Sequence, residues 1–460
     1  MWDEIYCQLV KQTLGNTLLD RDGFPSSMVK GFELLTLCAG TFQCTSGLYP
    51  YIMSHLQMAR KHRLPVAGAG IELRTATKRI ATLARRAQVR LQKTQQMRQR
   101  QKVPTDLEAA AVLAARPVMV RVYLLDGSHK TLPMNTHTTA SDMCSMMAMM
   151  LKISSSNLYA VYEYDEAGDK HFLRPETRVM DVIAMWQEAA LEDKGAVRRG
   201  DLSAHFNYEV HYFLDVPEAD PVSASLVYIQ AVANVVKSRY PATKRLCLDL
   251  AALQLQAERQ VFNGEGCVKV LRGTLHRYMP ARFIDGDGAA GDVLTEHLVR
   301  RWKRLQEQGY DAYECQLCYL ELLQQSIWYG TQMYKMMPML GNNDFPAGGI
   351  WFAVARTHII VVDCESSVIL ETIMMDRIIK HGSAAWSEQW GGSLMKLLVG
   401  NIVKQRPVKV VSVVPGEADE IIDLIRVYQS NTPVSTTKAA PEPEEQAGTA
   451  GCDGDLIYAD

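Results

Sequence analysis

Cys315 and Cys318 stand two residues apart, the spacing that supplies half of a tetrahedral zinc site. A second such pair, or histidines at a fitting distance, would have to supply the rest, and the sequence offers neither. Its other cysteines are scattered through apolar segments, so packed free thiols are expected. Asp285-Gly286-Asp287-Gly288 opens like a calcium loop and places Glu296 at the twelfth position, but Ala289 and Ala290 occupy the positions of an oxygen ligand and of the sharp-turn glycine. His276, His297 and His381 stand alone. Phosphate-loop, zinc-protease, nucleophile-elbow, kinase and Cys-x5-Arg phosphatase signatures are absent. Neither catalysis nor a metal or other cofactor is therefore expected.

One run of residues carries chemistry of another kind. Arg74, Lys78, Arg79, Arg85, Arg86, Arg90 and Lys93, continued by Arg98, Arg100 and Lys102, follow the last acid at Glu72. Ile80, Leu83, Ala84, Ala87 and Leu91 give the same stretch a narrow apolar stripe, which predicts one long basic amphipathic helix. Such a helix either presents a solvated face or meets an acidic surface, a protein or an anionic lipid. It lacks the aromatic platforms on which bases stack, so nucleic acid is not expected as a partner.

The elements that must position this surface are legible in outline. With 460 residues the chain can hold several domains, and its 49 basic residues against 51 acidic ones leave no overall electrostatic bias. No apolar run is long enough to span a bilayer and Met1 begins no signal-peptide core, which points to a cytoplasmic chain. Helices are predicted over Trp2 to Leu14, Val29 to Cys38 and Leu48 to Arg60. Between Pro241 and Val261 the apolar residues spread over several faces, the mark of an inner helix within a bundle. Val118 to Leu125 and His129 to Met134 alternate about Asp126-Gly127, and Met143 to Leu151 follows as a helix. The cluster of methionines from Met143 to Met150 reads as core filler. Short strands run between Ile350 and Val413, with Leu394 to Val399 counted as the fifth, and a last helix spans Glu417 to Gln429.

The passage DPVSASLVYIQAVANVVKSRYPATKRLCLDLAALQLQAE resembles the helical middle lobe of a FERM domain. DEIYCQLVKQ from Asp3 and KGFELLTLCAGTF from Lys30 resemble the second half of a myosin tail homology 4 domain, found ahead of FERM domains in some myosins and in plant calmodulin-binding kinesins. The resemblance implies that the opening helices of that domain lie ahead of Met1. It implies a multi-domain α+β chain with these boundaries: 1–102 helical domain with the basic helix, 103–116 linker, 117–192 ubiquitin-like first lobe, 200–310 helical second lobe, 311–430 third lobe, and 431–460 disordered acidic tail. The third lobe would be an antiparallel barrel of the pleckstrin-homology or phosphotyrosine-binding kind, plugged by its last helix. The tail's apolar Leu456, Ile457 and Tyr458 could dock in cis.

The same resemblance implies a role. A partner peptide would lie between the fifth strand of the third lobe and its closing helix, mapped here to Ser393, Met395, Leu397 and Val399 with Ile421, Ile425 and Tyr428. The basic helix would meet microtubules. The expectation is a non-catalytic tail of a motor or motor-like adaptor that links cargo peptides to actin or microtubules. The alternative is an ezrin-like membrane–cytoskeleton linker that binds phosphoinositides.

Overall fold

In the computed structural model, residues 1–431 are described except 23, 62, 64–65, 67–69, 98–99, 155, 166–167, 193–203, 215–219, 260–263, 285–287, 340–344, 347, 386–391 and 401–403. The start of the calcium-like loop and the acidic tail lie outside the described residues. The chain divides into one unit of Met1–Met150 with Ala160–Tyr208 and another of Leu151–Tyr159 with the residues from Glu209 onward.

The first unit opens with four helices, α1 (Trp2–Thr13), α2 (Ser26–Thr41), α3 (Tyr49–Arg60) and α4 (Gly70–Gln96). α1 buries Tyr6, Leu9 and Thr13, three and four residues apart, and the Tyr6 hydroxyl donates to the Phe42 carbonyl at 2.8 Å. α4 buries Ala76, Ile80, Leu83, Ala84, Ala87 and Leu91 against α2 and α3. Gly40 on α2 leaves room for Arg90, because a Cβ there would crowd the guanidinium and force it to shift. The basic helix is shorter than its charge run predicts. It ends at Gln96, and Arg100 and Lys102 turn back to pair with carboxylates.

The stretch 103–116, expected as a linker, contains a helix. Thr105 caps α5 (Asp106–Ala114) by accepting the Glu108 amide, and Glu108 is buried. A β-grasp sheet follows: β1 (Val118–Tyr123), β2 (His129–Met134), α6 (Ala140–Leu151), β3 (Tyr159–Tyr164), β4 (Lys170–Phe172), α7 (Val179–Glu192) and β5 (His205–Val210). The strand order is β2-β1-β5-β3-β4, with β5 parallel to β1. The first lobe therefore does not close at 192, because its sheet is completed by a strand expected in the second lobe. The alternation of Phe206, Tyr208 and Val210, all buried, was the available signal. Met143 and Met147 pack inward while Met149 and Met150 stay exposed.

A buried charge cluster ties the helices to the β-grasp. Arg100 Nη1 donates to both Glu108 oxygens at 2.7 and 2.6 Å, and its Nε donates to Asp181 Oδ1 at 2.6 Å. Thr136 Oγ1 donates to Glu108 Oε1 at 2.7 Å and accepts from Arg90 Nη2 at 2.5 Å. Nearby, Thr94 meets His137 Nε2 at 3.0 Å. Burial and the surrounding Arg90, Arg178, Lys93 and Arg100 push the His137 pKa down to about 3.

The second unit is built on α8 (Pro221–Val236), α9 (Lys244–Arg259), α10 (Glu265–Thr274), α11 (Gly288–Glu307) and α12 (Ala312–Gln324). α8 starts at Asp220, whose carboxylate accepts the Ser223 amide at 2.9 Å and the Ser154 hydroxyl at 2.7 Å. Burial raises this carboxyl's pKa, but those bonds outweigh it and hold the value at about 2. α9 buries Cys247, Leu248, Leu250, Ala251, Ala252, Leu253 and Leu255 on all sides, as an inner helix must. It packs on α11 and α12, and Gln256 accepts from buried Trp302 at 2.9 Å. α12, expected to open the third lobe, instead completes the helical one.

β6 (Gln332–Pro338), β7 (Ile350–Val354), β8 (His358–Asp363), β9 (Ile369–Met374), β10 (Ile378–Ala385), β11 (Ser393–Gly400) and β12 (Gln405–Ser412) form the third lobe, closed by α13 (Glu417–Asn431). The order is β10-β11-β12-β6-β7-β8-β9. β6 pairs with β7 along Gln332–Met336 and with β12 at Met337 and Pro338, so it turns the corner between two sheets. α13 inserts Ile421, Ile422, Leu424, Ile425 and Tyr428 between them, each contributing about 1.5–3 kcal/mol.

Two predictions follow from the buried cluster. Arg100→Met leaves two buried carboxylates uncompensated and should lower unfolding free energy by about 3–5 kcal/mol, whereas Arg79→Ala, at an exposed pair with Glu33, should cost under about 1 kcal/mol. Urea titration of both variants decides, and equal losses would refute the cluster's role. For His137 the folded pKa lies below the unfolded 6.5, so its stabilising contribution is complete above 6.5 and is lost as pH falls toward about 3. At pH 5 that loss should reach roughly 2 kcal/mol. His137→Asn should remove this share, so the wild-type minus variant stability difference should shrink between pH 7.5 and pH 5, and a difference independent of pH would contradict the assignment.

Candidate functional site

The third lobe exposes a strand edge beside its closing helix. β10 pairs with β11 on one side, while its other edge has no partner strand among the described residues. Ile379, Lys380, Ser383, Ala384 and Ala385 are exposed along it. A Cβ built at Gly382 would meet nothing within 4 Å, so the strand's outer surface is open as well as unpaired. α13 runs alongside and is tied to β10 by Gln429 Nε2, which donates to the carbonyls of Ile378 at 2.9 Å and Met375 at 3.1 Å. Asp419 accepts from Ser383, and Asp423 and Arg426 form an exposed pair farther along the helix. His381 sits between these rows, its pKa lowered by burial and by Arg426. The result is a shallow channel with small side chains on the strand and charges on the helix. It suits an added peptide strand, with main-chain bonds for affinity and the charged rim for selection.

The residues mapped to this channel from sequence lie behind it. Met395, Leu397, Val399, Ile421, Ile425 and Tyr428 are all in the hydrophobic core. Ser393 is buried too, accepting from the Ala418 amide at 3.1 Å and donating to the Val414 carbonyl at 2.9 Å, which pins β11 to the start of α13. The cause is a miscount. With β6 included, Ser393–Gly400 is the sixth strand of the lobe, and it is paired on both sides, by β10 and β12. An interior strand cannot accept another. The true edge was cut short at Lys380 in the sequence because Gly382-Ser383-Ala384-Ala385 carries little β-propensity.

The basic helix divides into two sets. Arg74, Lys78, Arg85 and Lys93 are exposed, and Arg79 is exposed but paired with Glu33. Arg86 and Arg90 turn inward: Arg86 Nη1 donates to the Leu113 carbonyl at 3.1 Å, and Arg90 reaches Thr136. Burial lowers the Arg90 pKa to about 10, with Arg100 adding to the fall and Glu108 opposing it. Those two arginines are therefore unavailable to an external surface in the way the sequence implied.

Nothing in the described residues forms a constellation for turnover. Cys315 is buried on α12, with its thiol pushed up to about 11 by burial, far from a nucleophile's range. His276 and His297 are exposed and separate. Among the described residues no three His, Cys, Asp or Glu side chains converge as metal ligands, and no helix is long and apolar enough to cross a membrane.

Residues 1–111 match the MyTH4 domain family, 116–209 the RA-like domain and 215–334 the FERM central domain. The chain is 28% identical over 313 residues to unconventional myosin heavy chain 6 of Caenorhabditis elegans, covering 66% of this chain and 13% of that protein. To myosin-VIIa of Drosophila melanogaster it is 24% identical over 387 residues, covering 80% and 16%. It thus spans less than a fifth of the length of these myosins. Among solved structures, the MyTH4-FERM MF1 domain of Dictyostelium discoideum myosin VII superposes with a TM-score of 0.71 at 16% identity, over 93% of this chain and 79% of that one. The C-terminal MyTH4-FERM domain of human myosin 7b, solved in complex with the harmonin-a PDZ3 domain, gives 0.63 at 16% identity over the same shares. These two likenesses speak to fold. Taken with these, the three domain matches in chain order show a MyTH4 domain followed by RA-like and FERM central domains, with the fold of the myosin VII MyTH4-FERM structures.

Proposed function

We propose that the chain is the non-catalytic cargo-binding and cytoskeleton-binding tail of a motor or motor-like adaptor. The open β10 edge beside α13 carries this reading: its outer edge has no partner strand among the described residues and so presents main-chain groups to a peptide. The myosin 7b relative bound to a harmonin PDZ domain supports a partner-binding role. Cytoskeletal linkage rests on the exposed cations of α4, where Arg74, Lys78, Arg85 and Lys93 offer an acidic filament surface a row of charges free to move and to exchange counterions.

Gly382→Trp fills the channel where a side chain has room, so it should leave the melting temperature within a few degrees. It should weaken peptides selected on the full chain from a displayed library by at least about tenfold. Hydrogen exchange over 378–385 should slow when such a peptide binds the unmodified chain. Peptides that bind the variant equally and leave that exchange unchanged would move the site elsewhere.

Arg74→Glu combined with Lys78→Glu should weaken co-sedimentation with microtubules by roughly tenfold at low salt, with the gap closing near 0.3 M salt. Sedimentation with phosphoinositide vesicles in the absence of microtubule binding would favour the membrane-linker reading instead.

A further inference from the structure

The first unit contains a recess that the strand edge does not use and that shares only Arg85 with the exposed row of α4. It lies between α4, α5 and the adjoining ends of β1 and β2, with a volume of about 590 Å³, within the size range of ligand pockets. Arg85, Arg86, Arg90 and Arg116 contribute positive charge to its lining, and Val89 and Val112 contribute apolar surface. Glu108 is the only acid among the lining residues, and its oxygens are taken by Arg100 and Thr136. Arg90 Nε is buried with no hydrogen-bond partner, and the Arg90 charge is held in a setting that opposes it. Val89 is 50% exposed on the wall, a large apolar group facing solvent beside arginines. The recess therefore has unmatched positive charge and uncovered apolar surface side by side.

We propose that this recess binds an acidic peptide segment carrying a large apolar side chain between its carboxylates. Charge complementarity sets the sign of the ligand. The walled shape favours a side chain that can enter over a membrane, which meets a protein with a plane of headgroups. The lining has no aromatic residue, so bases would find nothing to stack on. Carboxylates of the ligand pair with Arg85 and Arg116 at the exposed mouth, and the apolar side chain covers Val89 and Val112. This site shares Arg85 with the proposed filament contact, and the two are told apart through Arg74 and Lys78, which lie outside its lining, and through Arg116 and Val89, which lie outside the filament row.

Fluorescence anisotropy of a labelled EELEEYEE peptide against the full chain tests the site. Arg85→Glu with Arg116→Glu should weaken binding by at least about tenfold, and Val89→Asp by several fold, at unchanged melting temperature because all three side chains are exposed. Arg74→Glu with Lys78→Glu, which tests the filament contact, should change peptide affinity less than about twofold. Replacing the leucine and tyrosine of the peptide by serine should also weaken it. Equal losses from both charge-reversed pairs, or equal binding of the serine peptide, would reduce the effect to diffuse attraction and overturn the proposal. So would an absence of peptide binding accompanied by vesicle sedimentation that Arg85→Glu with Arg116→Glu abolishes, which would assign the recess to lipid headgroups.

Discussion

The Arg100 guanidinium lies between Glu108 of α5 and Asp181 of α7, with its side chain wholly removed from water. Withdrawing a charge from water costs several kcal/mol per ion, and only close partners in good geometry offset it. The partners here come from separate elements, the end of the α4 run, the short helix after it and the last helix of the β-grasp. No one of them can bury its charge alone, so the helical layer and the β-grasp are stabilised as one body. The cluster is also unbalanced: Arg90, Arg100 and Arg178 share the region with Glu108 and Asp181, and His137 among them is kept neutral. Burial is the main cause of the lowered Arg90 pKa, with Arg100 adding to the fall, and the surplus of positive charge sets the sign of the field at the recess beside it.

In the second unit, hydrophobic packing and single hydrogen bonds replace charge. α9 is enclosed by α11 and α12, and the buried Tyr240 hydroxyl accepts from the Gly330 amide at 3.0 Å where the chain enters the barrel lobe. Tyr428 of α13 accepts from the Phe213 amide at 3.2 Å in the same way. Each bond is worth only about 0.5–1.5 kcal/mol net, but an unpaired hydroxyl or amide in these positions would cost more than the bond gains, so the two tyrosines specify how the helical and barrel lobes meet. α13 thereby serves two purposes. Its inner face fills the barrel core, and that rigidity holds its outer face at a constant distance from the β10 edge.

This division between inner and outer faces supports the proposed reading that the chain works by presenting surfaces. Among the described residues, Cys315 is buried in packing, and His276 and His297 stand apart in solvent. Among the described residues, an unpaired strand, a row of cations and a charged recess are accessible. On the proposed reading all three serve recognition, and all are carried on regular secondary-structure elements.

Periodicity and composition were enough to establish the inner helix α9, the α4 stripe, the β1–β2 hairpin and most of the barrel strands, because each depends on neighbours only three or four residues away, or two in a strand, though not β6 or the full length of β10. Fold class and domain order came instead from the resemblance of whole passages, such as DPVSASLVYIQAVANVV, to known domains. Partners distant in sequence decided the rest. Whether an arginine of α4 faces water or Thr136 depends on what the β-grasp places against it, and a charge run reads the same in either case. The strand His205–Val210 belongs to the first lobe because a slot between β1 and β3 awaits it, which no count along the chain reveals. The site residues Ser393 through Tyr428 alternate as a lining would and also as a core would. Only the pairing of β11 on both its edges shows that they face inward and that the free edge is β10.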